Sequence, residues 1–266
     1  MAEIKAIDPV KINNQFAVFS TYSDDPIFNN EIISIDSPIF CAGKITNFEQ
    51  NVYNFNKNDL VAYISLKQNL NIEISSNLIL KFNNNGNQKL IAFIPYASFA
   101  MKILREIDPK IAQNISIIGK NFFSTLLANI IRSSGANVIN IEKNNDINYN
   151  DEDSIDSLIV VSNLTQKNRK LIETLNIKKK YYLKQISIFD KGLDDPKYIK
   201  GIKYPYSYVR WKFKENLNFF LYLVEKNVVN IDFLELTYVK AESIEDLKNK
   251  VKDAQKNSLI LYEISY

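Results

Sequence analysis

Residues 114–143, NISIIGKNFFSTLLANIIRSSGANVINIEK, decide the fold of this chain. They predict a strand, a glycine turn, a helix, a second strand and an acidic residue at the end of that strand. This is the order of a dinucleotide-binding unit, in which a phosphate group lies at the helix N-terminus. The turn, Gly119 to Ser124, has one glycine where the nucleotide-binding motif has three. The sequence therefore predicts the topology of a nucleotide-binding fold and leaves nucleotide binding itself open.

Composition indicates a globular protein without a nucleic-acid or membrane partner. The 266 residues are 46% hydrophobic and 24% charged, as is ordinary for a globular domain. A net charge of +3 is too small to indicate a nucleic acid or a membrane surface as partner. No stretch reaches the roughly 18 apolar residues of a membrane-spanning helix, and the N-terminus lacks a secretory signal pattern. With Cys41 as its single cysteine the chain forms no intrachain disulfide, and we expect a cytoplasmic protein.

The absence of histidine excludes several classes of active site. Ser-His-Asp and Cys-His catalysis both require a histidine base. Catalytic zinc sites ordinarily use three protein ligands rich in histidine and cysteine, and Cys41 is the one cysteine available. Carboxylates could still hold a hard cation, but the acidic runs at 151–153 and 194–195 are typical of solvated loops. We therefore expect no metal site.

The N-terminal part of the chain has the pattern of short strands. Alternation of apolar with polar or small residues, interrupted by asparagine-rich turns, is the pattern of half-buried strands. The predicted strands are residues 15–22, 37–45, 59–64, 70–74 and 78–82. Strands of this length and spacing predict a small β-barrel.

A change to helical spacing near residue 95 begins an α/β region. The predicted elements are a helix at 95–107, a strand at 115–118, a helix at 125–133 closed by Gly135, strands at 138–141 and 158–161, a helix at 166–175, a strand at 181–188 and a helix at 213–226. Residues 144–156 form only a polar, acidic loop where a further strand and helix would be expected, so the parallel sheet is reduced. The last residues predict a strand at 233–237, a helix at 243–254 with a Ser243–Asp246 capping box, and a strand at 258–264.

Three segments carry a resemblance to a known family. Residues 38–45 (PIFCAGKI) and 52–62 (VYNFNKNDLVA) are similar to an Ala-Gly pair before a strand and to an F-x-x-G-D-x-V turn. Residues 97–142 are similar to an interdomain helix followed by a nucleotide turn. Residues 204–217 (YPYSYVRWKFKENL) are similar to a Y-P-x-x-Y-V-R-W-T-x-x-x-N-M block. The chain thus resembles the medium-chain dehydrogenases/reductases, relatives of zinc-type alcohol dehydrogenases, and looks closest to the bi-domain oxidoreductases of bacterial surface-glycan gene clusters.

The resemblance implies an α/β plus β fold, in which a reduced Rossmann-like parallel sheet accompanies a truncated GroES-like β-barrel. The barrel domain is expected from residues 1–94 and 229–266, and the nucleotide-binding domain from residues 95–228. The family's cysteine- and histidine-bearing substrate lobe is nearly absent before residue 38. The resemblance therefore implies a zinc-independent oxidoreductase that uses NAD or NADP on a small polar substrate, such as a sugar. It also implies a homodimer or association with a partner enzyme subunit.

A second function stays open beside this one. The altered turn, the lost lobe and the absent zinc ligands are also typical of a catalytically silent relative that binds no dinucleotide. Such a protein would act as a binding or scaffold subunit.

The expected cofactor site centres on the turn Gly119, Lys120, Asn121, Phe122 and Ser124. Asn121 and Ser124 would occupy the second and third glycine positions, Asn121 because asparagine tolerates left-handed backbone and Ser124 because it is small. Phe122, together with its neighbour in the chain, could instead fill the space that the phosphates need. Both interpretations of the two phenylalanines stay open.

Four further residues follow the ends of predicted parallel strands. Glu142 would accept hydrogen bonds from an adenosine ribose and favour NAD over NADP, and Lys143 weakens that preference. Ser162 and Asn163 follow the next strand, at the sheet edge where ligands collect. The alternatives are a solubilising role for Glu142 and helix capping by Ser162 and Asn163.

The Tyr-Val-Arg-Trp motif supplies two expected substrate-binding residues, Tyr208 and Arg210. Arg210 could hold a phosphate or carboxylate through two hydrogen bonds. It could equally lock its loop onto the barrel by bonding backbone carbonyls. We find no residue that sequence alone identifies as a catalytic acid or base.

Overall fold

The structure, a computed structural model, describes residues 9–20, 40–50, 52–64, 71–82, 91–119, 121–141, 155–161, 166–174, 177, 179–182, 213–231, 236–243, 245–246, 249–250 and 259–264. These residues form two sheets with helices between and beside them. No helix within these ranges is long and apolar enough to cross a membrane. The arrangement is α/β plus β, which confirms the predicted fold class.

The first sheet has seven strands and is mainly antiparallel. Its strands are β1 (Pro9–Ser20), β2 (Phe40–Phe48), β3 (Leu60–Ile64), β4 (Asn71–Ser75), β5 (Ile79–Lys81), β10 (Leu236–Ala241) and β11 (Leu259–Ile264). They lie in the order β10-β11-β1-β2-β3-β5, with β4 paired to β1 and a short 3-10 helix, Ser76–Leu78, between β4 and β5. Strands from both ends of the chain therefore share one sheet.

The second sheet has four parallel strands in the order β7-β6-β8-β9. These are β6 (Asn114–Ile118), β7 (Asn137–Ile141), β8 (Ser157–Val160) and β9 (Lys179–Tyr182). Helix α2 (Phe122–Ser133) connects β6 to β7, and α3 (Gln166–Thr174) lies between β8 and β9. The apolar residues of β6 and β8 are buried on both faces, as the unbroken apolar runs in the sequence predict for a covered parallel sheet.

Helix α1 (Phe93–Ile107) lies between the first sheet and the unit that contains the parallel sheet, and it packs against elements of both. It contacts β1, β2 and β3 of the first sheet, helix α2 of the second unit, and α4 (Phe213–Glu225). The Phe40 ring of β2 meets the ring of Tyr96 edge to face with centroids 5.5 Å apart. Phe93 in turn lies 5.7 Å from Phe122 of α2 and 6.3 Å from Phe220 of α4. Each such buried ring stabilises the fold by roughly 1.5–3 kcal/mol through burial.

The end of α1 and the ends of α2 follow ordinary capping chemistry. Asp108 takes left-handed backbone (φ 48°) after α1, immediately before the proline that the sequence places there. Gly135 has φ +86° and closes α2, as predicted. The Ser243 hydroxyl accepts a hydrogen bond from the Asp246 amide at 3.1 Å, which is one half of the predicted capping box. The Asp246 carboxylate accepts a 3.1 Å hydrogen bond from the Glu242 amide instead of the Ser243 amide.

Strands β1 and β10 show the largest differences from the predicted boundaries. Strand β1 begins at Pro9 instead of residue 15, because the alternation of buried Val10 and Ile12 with exposed Lys11 continues into the residues that were predicted as strand. Strand β10 runs to Ala241 instead of ending at residue 237, because its whole length pairs in parallel with β11. The domain limits at residues 94 and 229 stay a prediction.

Gly43 in β2 marks a close approach of two strands. It pairs with Asn14 beside a register shift in β1. A Cβ at this position would lie 2.9 Å from the Asn13 carbonyl carbon and 2.8 Å from the Ile12 side chain. Backbone at that distance cannot yield without moving the strand. The Ala-Gly pair of the resemblance is thus a packing requirement here.

We predict that Gly43→Ala lowers the free energy of unfolding by about 1–3 kcal/mol, the usual range for overpacking. Urea denaturation followed by circular dichroism measures this change. Lys44→Ala, at the exposed neighbouring position of the same strand, is the matched control and should leave stability nearly unchanged. Equal stability of Gly43→Ala and the wild-type protein would contradict the close approach.

Candidate functional site

The parallel sheet has a topological switch point between β6 and β8. From β6 the chain passes to β7 on one side, and it returns to β8 on the other side of β6. Ligands of open α/β sheets bind in the crevice at such a point, outside the carboxyl ends of the strands. Gly119 follows β6 and Val161 follows β8, and the Val161 amide donates a 2.8 Å hydrogen bond to the Ile118 carbonyl. These two residues therefore lie at the centre of the candidate site.

Gly119 is required for close packing and not for an unusual backbone. It does not adopt the left-handed backbone that Gly135 has. A Cβ at Gly119 would lie 2.9 Å from the Cβ of Val161 and 3.2 Å from the Cβ of Ser124. The strand, the helix and the next strand thus meet at one point. Ser124 supplies the small side chain there, in keeping with its predicted role.

Asn121 acts as the N-cap of α2, and its predicted left-handed backbone is wrong. Its φ of −80° and ψ of 169° are extended, and its Oδ1 accepts a 2.9 Å hydrogen bond from the Ser124 amide. The side chain provides the hydrogen bond that a helix N-terminus needs, so no glycine-like conformation is required. The Ser124 hydroxyl lies within hydrogen-bonding distance of the carbonyl oxygens of Asn121 (2.6 Å) and Gly119 (3.0 Å). Both polar side chains are fully buried.

Phe122 and Phe123 belong to the hydrophobic core between α1 and α2. Phe122 is 8% exposed and packs edge to face on Phe93, while Phe123 is fully buried with its ring 5.6 Å from that of Tyr96. The bulk of both rings is therefore used to join the two helices at the start of α2.

The structure brings together four of the predicted site residues, Gly119, Asn121, Phe122 and Ser124. The others lie outside the described residues: Lys120, Glu142, Lys143, Ser162, Asn163, Tyr208 and Arg210. Sequence reasoning missed Val161, whose side chain is the one that Gly119 must accommodate. The signal was present, because Val161 is the last residue of an apolar run directly before two polar residues.

The donor groups among the described residues do not form a set of ligands that fits a zinc ion. Cys41 is fully buried in β2, opposite Ala17 of β1 and Tyr63 of β3. Burial raises the pKa of the Cys41 thiol, so the thiolate that zinc requires is strongly disfavoured. This confirms the prediction that Cys41 is a buried small hydrophobe. The sequence has no histidine, and the described residues contain no cluster of three or more His, Cys, Asp or Glu side chains.

Comparison with known proteins finds similarity at the level of structure. No protein-family model matches the sequence, and no curated protein matches it in sequence. Galactitol-1-phosphate dehydrogenase from Escherichia coli superposes with a TM-score of 0.62 at 11% identity, covering 98% of this chain and 94% of that one. The quinone oxidoreductase from Coxiella burnetii gives 0.58 at 14% identity, with 97% and 90% covered. CAD from Helicobacter pylori, solved with NADP(H), gives 0.60 at 10% identity, with 98% and 92% covered.

We predict that Gly119→Ala lowers the free energy of unfolding by about 1–3 kcal/mol, because the new methyl group overlaps the Val161 side chain. Val161→Gly removes the Cβ atom that the new methyl group meets, so the double variant should be more stable than the sum of the two single changes predicts. A double-mutant cycle by chemical denaturation measures the coupling. Val160→Gly, at a position in a separate apolar cluster with Ile118 and Ile172, is the matched control. Strict additivity for Gly119 and Val161 would contradict the contact.

We also predict that Cys41 does not react with a thiol reagent in the native protein. Its raised pKa and complete burial keep the thiol protonated and covered, at alkaline as well as neutral pH. Ellman's reagent should therefore titrate one thiol per chain only after unfolding in denaturant. Rapid reaction of the folded protein would show that β2 opens in solution.

Proposed function

We propose that this chain, whose fold is that of the medium-chain dehydrogenases/reductases, is an oxidoreductase that binds a nicotinamide dinucleotide at the β6–β8 switch point. The observation that carries the proposal is the position of Gly119 and the α2 N-terminus at that point. A parallel sheet collects its ligands there, and a helix N-terminus favours the negative charge of a pyrophosphate.

A nicotinamide cofactor is supported by two of the similar structures. CAD from Helicobacter pylori was solved with NADP(H), and TarJ from S. aureus was solved in complex with NADPH. When bound, the nicotinamide would supply the hydride acceptor or donor. Glu142 would favour NAD and Lys143 would weaken that preference, so both cofactors belong in the test.

The donor set supports the proposal of zinc-independent chemistry, and the resemblance supports the proposal of a small polar substrate, such as a sugar. The buried Cys41 thiol and the lack of histidine leave no soft ligand for zinc. Substrate polarisation would then fall to side chains. We assign Tyr208 and Arg210 to substrate binding, since an arginine can hold a phosphate or carboxylate and a tyrosine can donate a hydrogen bond to a sugar hydroxyl.

We further propose a cytoplasmic protein that associates with a second copy or with a partner enzyme. A single free thiol suits a reducing compartment. Strands β7 and β9 lie at the two edges of the described parallel sheet, and edge strands are the natural sites of sheet extension.

A second candidate is a catalytically silent binding or scaffold subunit. The observation in its favour is that a side chain of the turn already caps one N–H group at the start of α2. Asn121 already accepts from the Ser124 amide, and both side chains are fully buried. A pyrophosphate would have to compete with that cap. The second candidate predicts an intact fold that binds no dinucleotide.

Titration of the purified protein with NADH and NADPH, followed by cofactor fluorescence, tests the first proposal. We expect saturable binding below millimolar concentration. Asn121→Asp should weaken it by about tenfold or more, because aspartate keeps the helix cap but places a negative charge where the pyrophosphate would lie. Asn121→Ser is the matched control, since serine caps the helix without charge.

Because Asn121 is fully buried, circular dichroism first confirms that each variant is folded at the temperature of the titration, so a change in binding reports on the site and not on folding. No fluorescence change at millimolar NADH and NADPH would reject the oxidoreductase and favour the silent subunit. Equal affinity of the aspartate and serine variants would place the cofactor elsewhere.

A further inference from the structure

Lys214 lies where the N-terminal part of α4 meets the first sheet. The helix contacts β5 and the short 3-10 helix that precedes it. The Lys214 ammonium lies 5.6 Å from the centroid of the Phe55 ring and donates a 3.4 Å hydrogen bond to the Ser76 carbonyl oxygen. Lys214 as a whole is half-buried.

No carboxylate balances this charge among the described residues. The charged groups near Lys214 in the chain segments that it contacts are Lys57 and Asp59 in the loop of Phe55, Lys81 in β5, and Glu215 on the helix itself. Helix α1, which packs on α4, carries Lys102, Arg105 and Glu106, and Glu106 lies 3.7 Å from the Lys102 ammonium. Asp59 is already held by Lys81 at 2.7 Å. Burial lowers the pKa of Lys214, and no neighbouring charge opposes that effect. Within the described part of the chain, the ammonium is thus partly desolvated and has no carboxylate partner.

A bound anion would supply an opposite charge next to the Lys214 ammonium. Taking a cation out of water is unfavourable unless an opposite charge or several hydrogen bonds replace the water. Lys214 has three N–H donors, and the Ser76 carbonyl takes one of them through a long hydrogen bond. The neighbouring Phe55 ring excludes water from one side and raises the strength of any charge pair formed there. The positive end of the α4 dipole adds to the same potential.

We propose that Lys214, with Phe55 and Ser76, forms a binding site for a small oxyanion, the phosphate or carboxylate group of a ligand. The site is separate from the turn at Gly119 and does not depend on dinucleotide binding. A bound anion would stabilise the contact between α4 and the first sheet, because it would bridge charges at their junction.

The test is thermal unfolding of the full chain without dinucleotide, with inorganic phosphate or acetate replacing chloride at constant ionic strength. We expect phosphate, acetate or both to raise the unfolding temperature of the wild-type protein. The anion that raises it more shows whether the site prefers a phosphate or a carboxylate group. Lys214→Met should bind the effective anion about tenfold or more weakly, since it lacks the charged donor. Lys226→Met is the matched control, because Lys226 lies on the same helix 5.9 Å from the Tyr222 ring but is exposed.

Without anion, Lys214→Met should unfold at or above the wild-type temperature, because methionine carries no charge to desolvate. A role as a structural tether alone would instead lower that temperature and leave the anion response unchanged. Absence of a response in the wild-type protein, or the same response in Lys214→Met, would overturn the proposal.

A measurement on the wild-type chain gives an independent check if the variant fails to fold. Anion binding requires the ammonium form, so the stabilisation should be full below the lowered pKa of Lys214 and disappear as pH rises through it. Lys214→Arg should retain the anion response to higher pH, since a guanidinium stays charged. A response that ignores pH over this interval would contradict binding at Lys214. Dinucleotide titration of Lys214→Met, expected to match the wild-type protein, separates this result from that of the proposed function.

Discussion

The packing of aromatic rings along α1 is the interaction on which the rest of the structure depends. The first sheet meets this helix through Phe40, and the parallel sheet meets it through the two phenylalanines at the start of α2. Rings in edge-to-face contact add directional preference to the burial of apolar surface. The helix therefore fixes where the β6–α2 turn lies, and the geometry of the candidate site is a consequence of the core.

The turn at Gly119 shows how a nucleotide-binding topology can keep its shape with different chemistry. In the three-glycine motif, glycine allows a tight turn and a close approach of helix and strand. Here one glycine provides the close approach, and an asparagine side chain caps the helix in extended backbone. The requirement for space between strand and helix is met by Ser124, whose hydroxyl bonds inside the turn. Loss of glycines at this site is therefore not loss of the turn.

Much of the fold could be predicted from the sequence because apolar periodicity reports burial directly. The runs at β6 and β8, the stripe of α2 and the closure by Gly135 follow from local patterns. The start of β1 could not be predicted, because asparagine is common in turns and, in this chain, also lies in the first part of a strand, where β1 pairs with both β2 and β4. The backbone of Asn121 could not be predicted either, since an asparagine can take left-handed backbone or cap a helix, and only the neighbouring Ser124 amide decides between them. The partners of Gly119 and Lys214 come from distant parts of the chain, which local pattern does not reach.

The position of Phe93 couples helix α2 to helix α4. Its ring contacts Phe122 at the start of α2 and Phe220 in the middle of α4. The first turn of α2 and the middle of α4 therefore pack against the same side chain in a close-packed core. A displacement of either helix changes the packing energy of the other. Thermodynamic linkage then requires that any free energy transmitted from α2 to α4 be equal to that transmitted in the opposite direction.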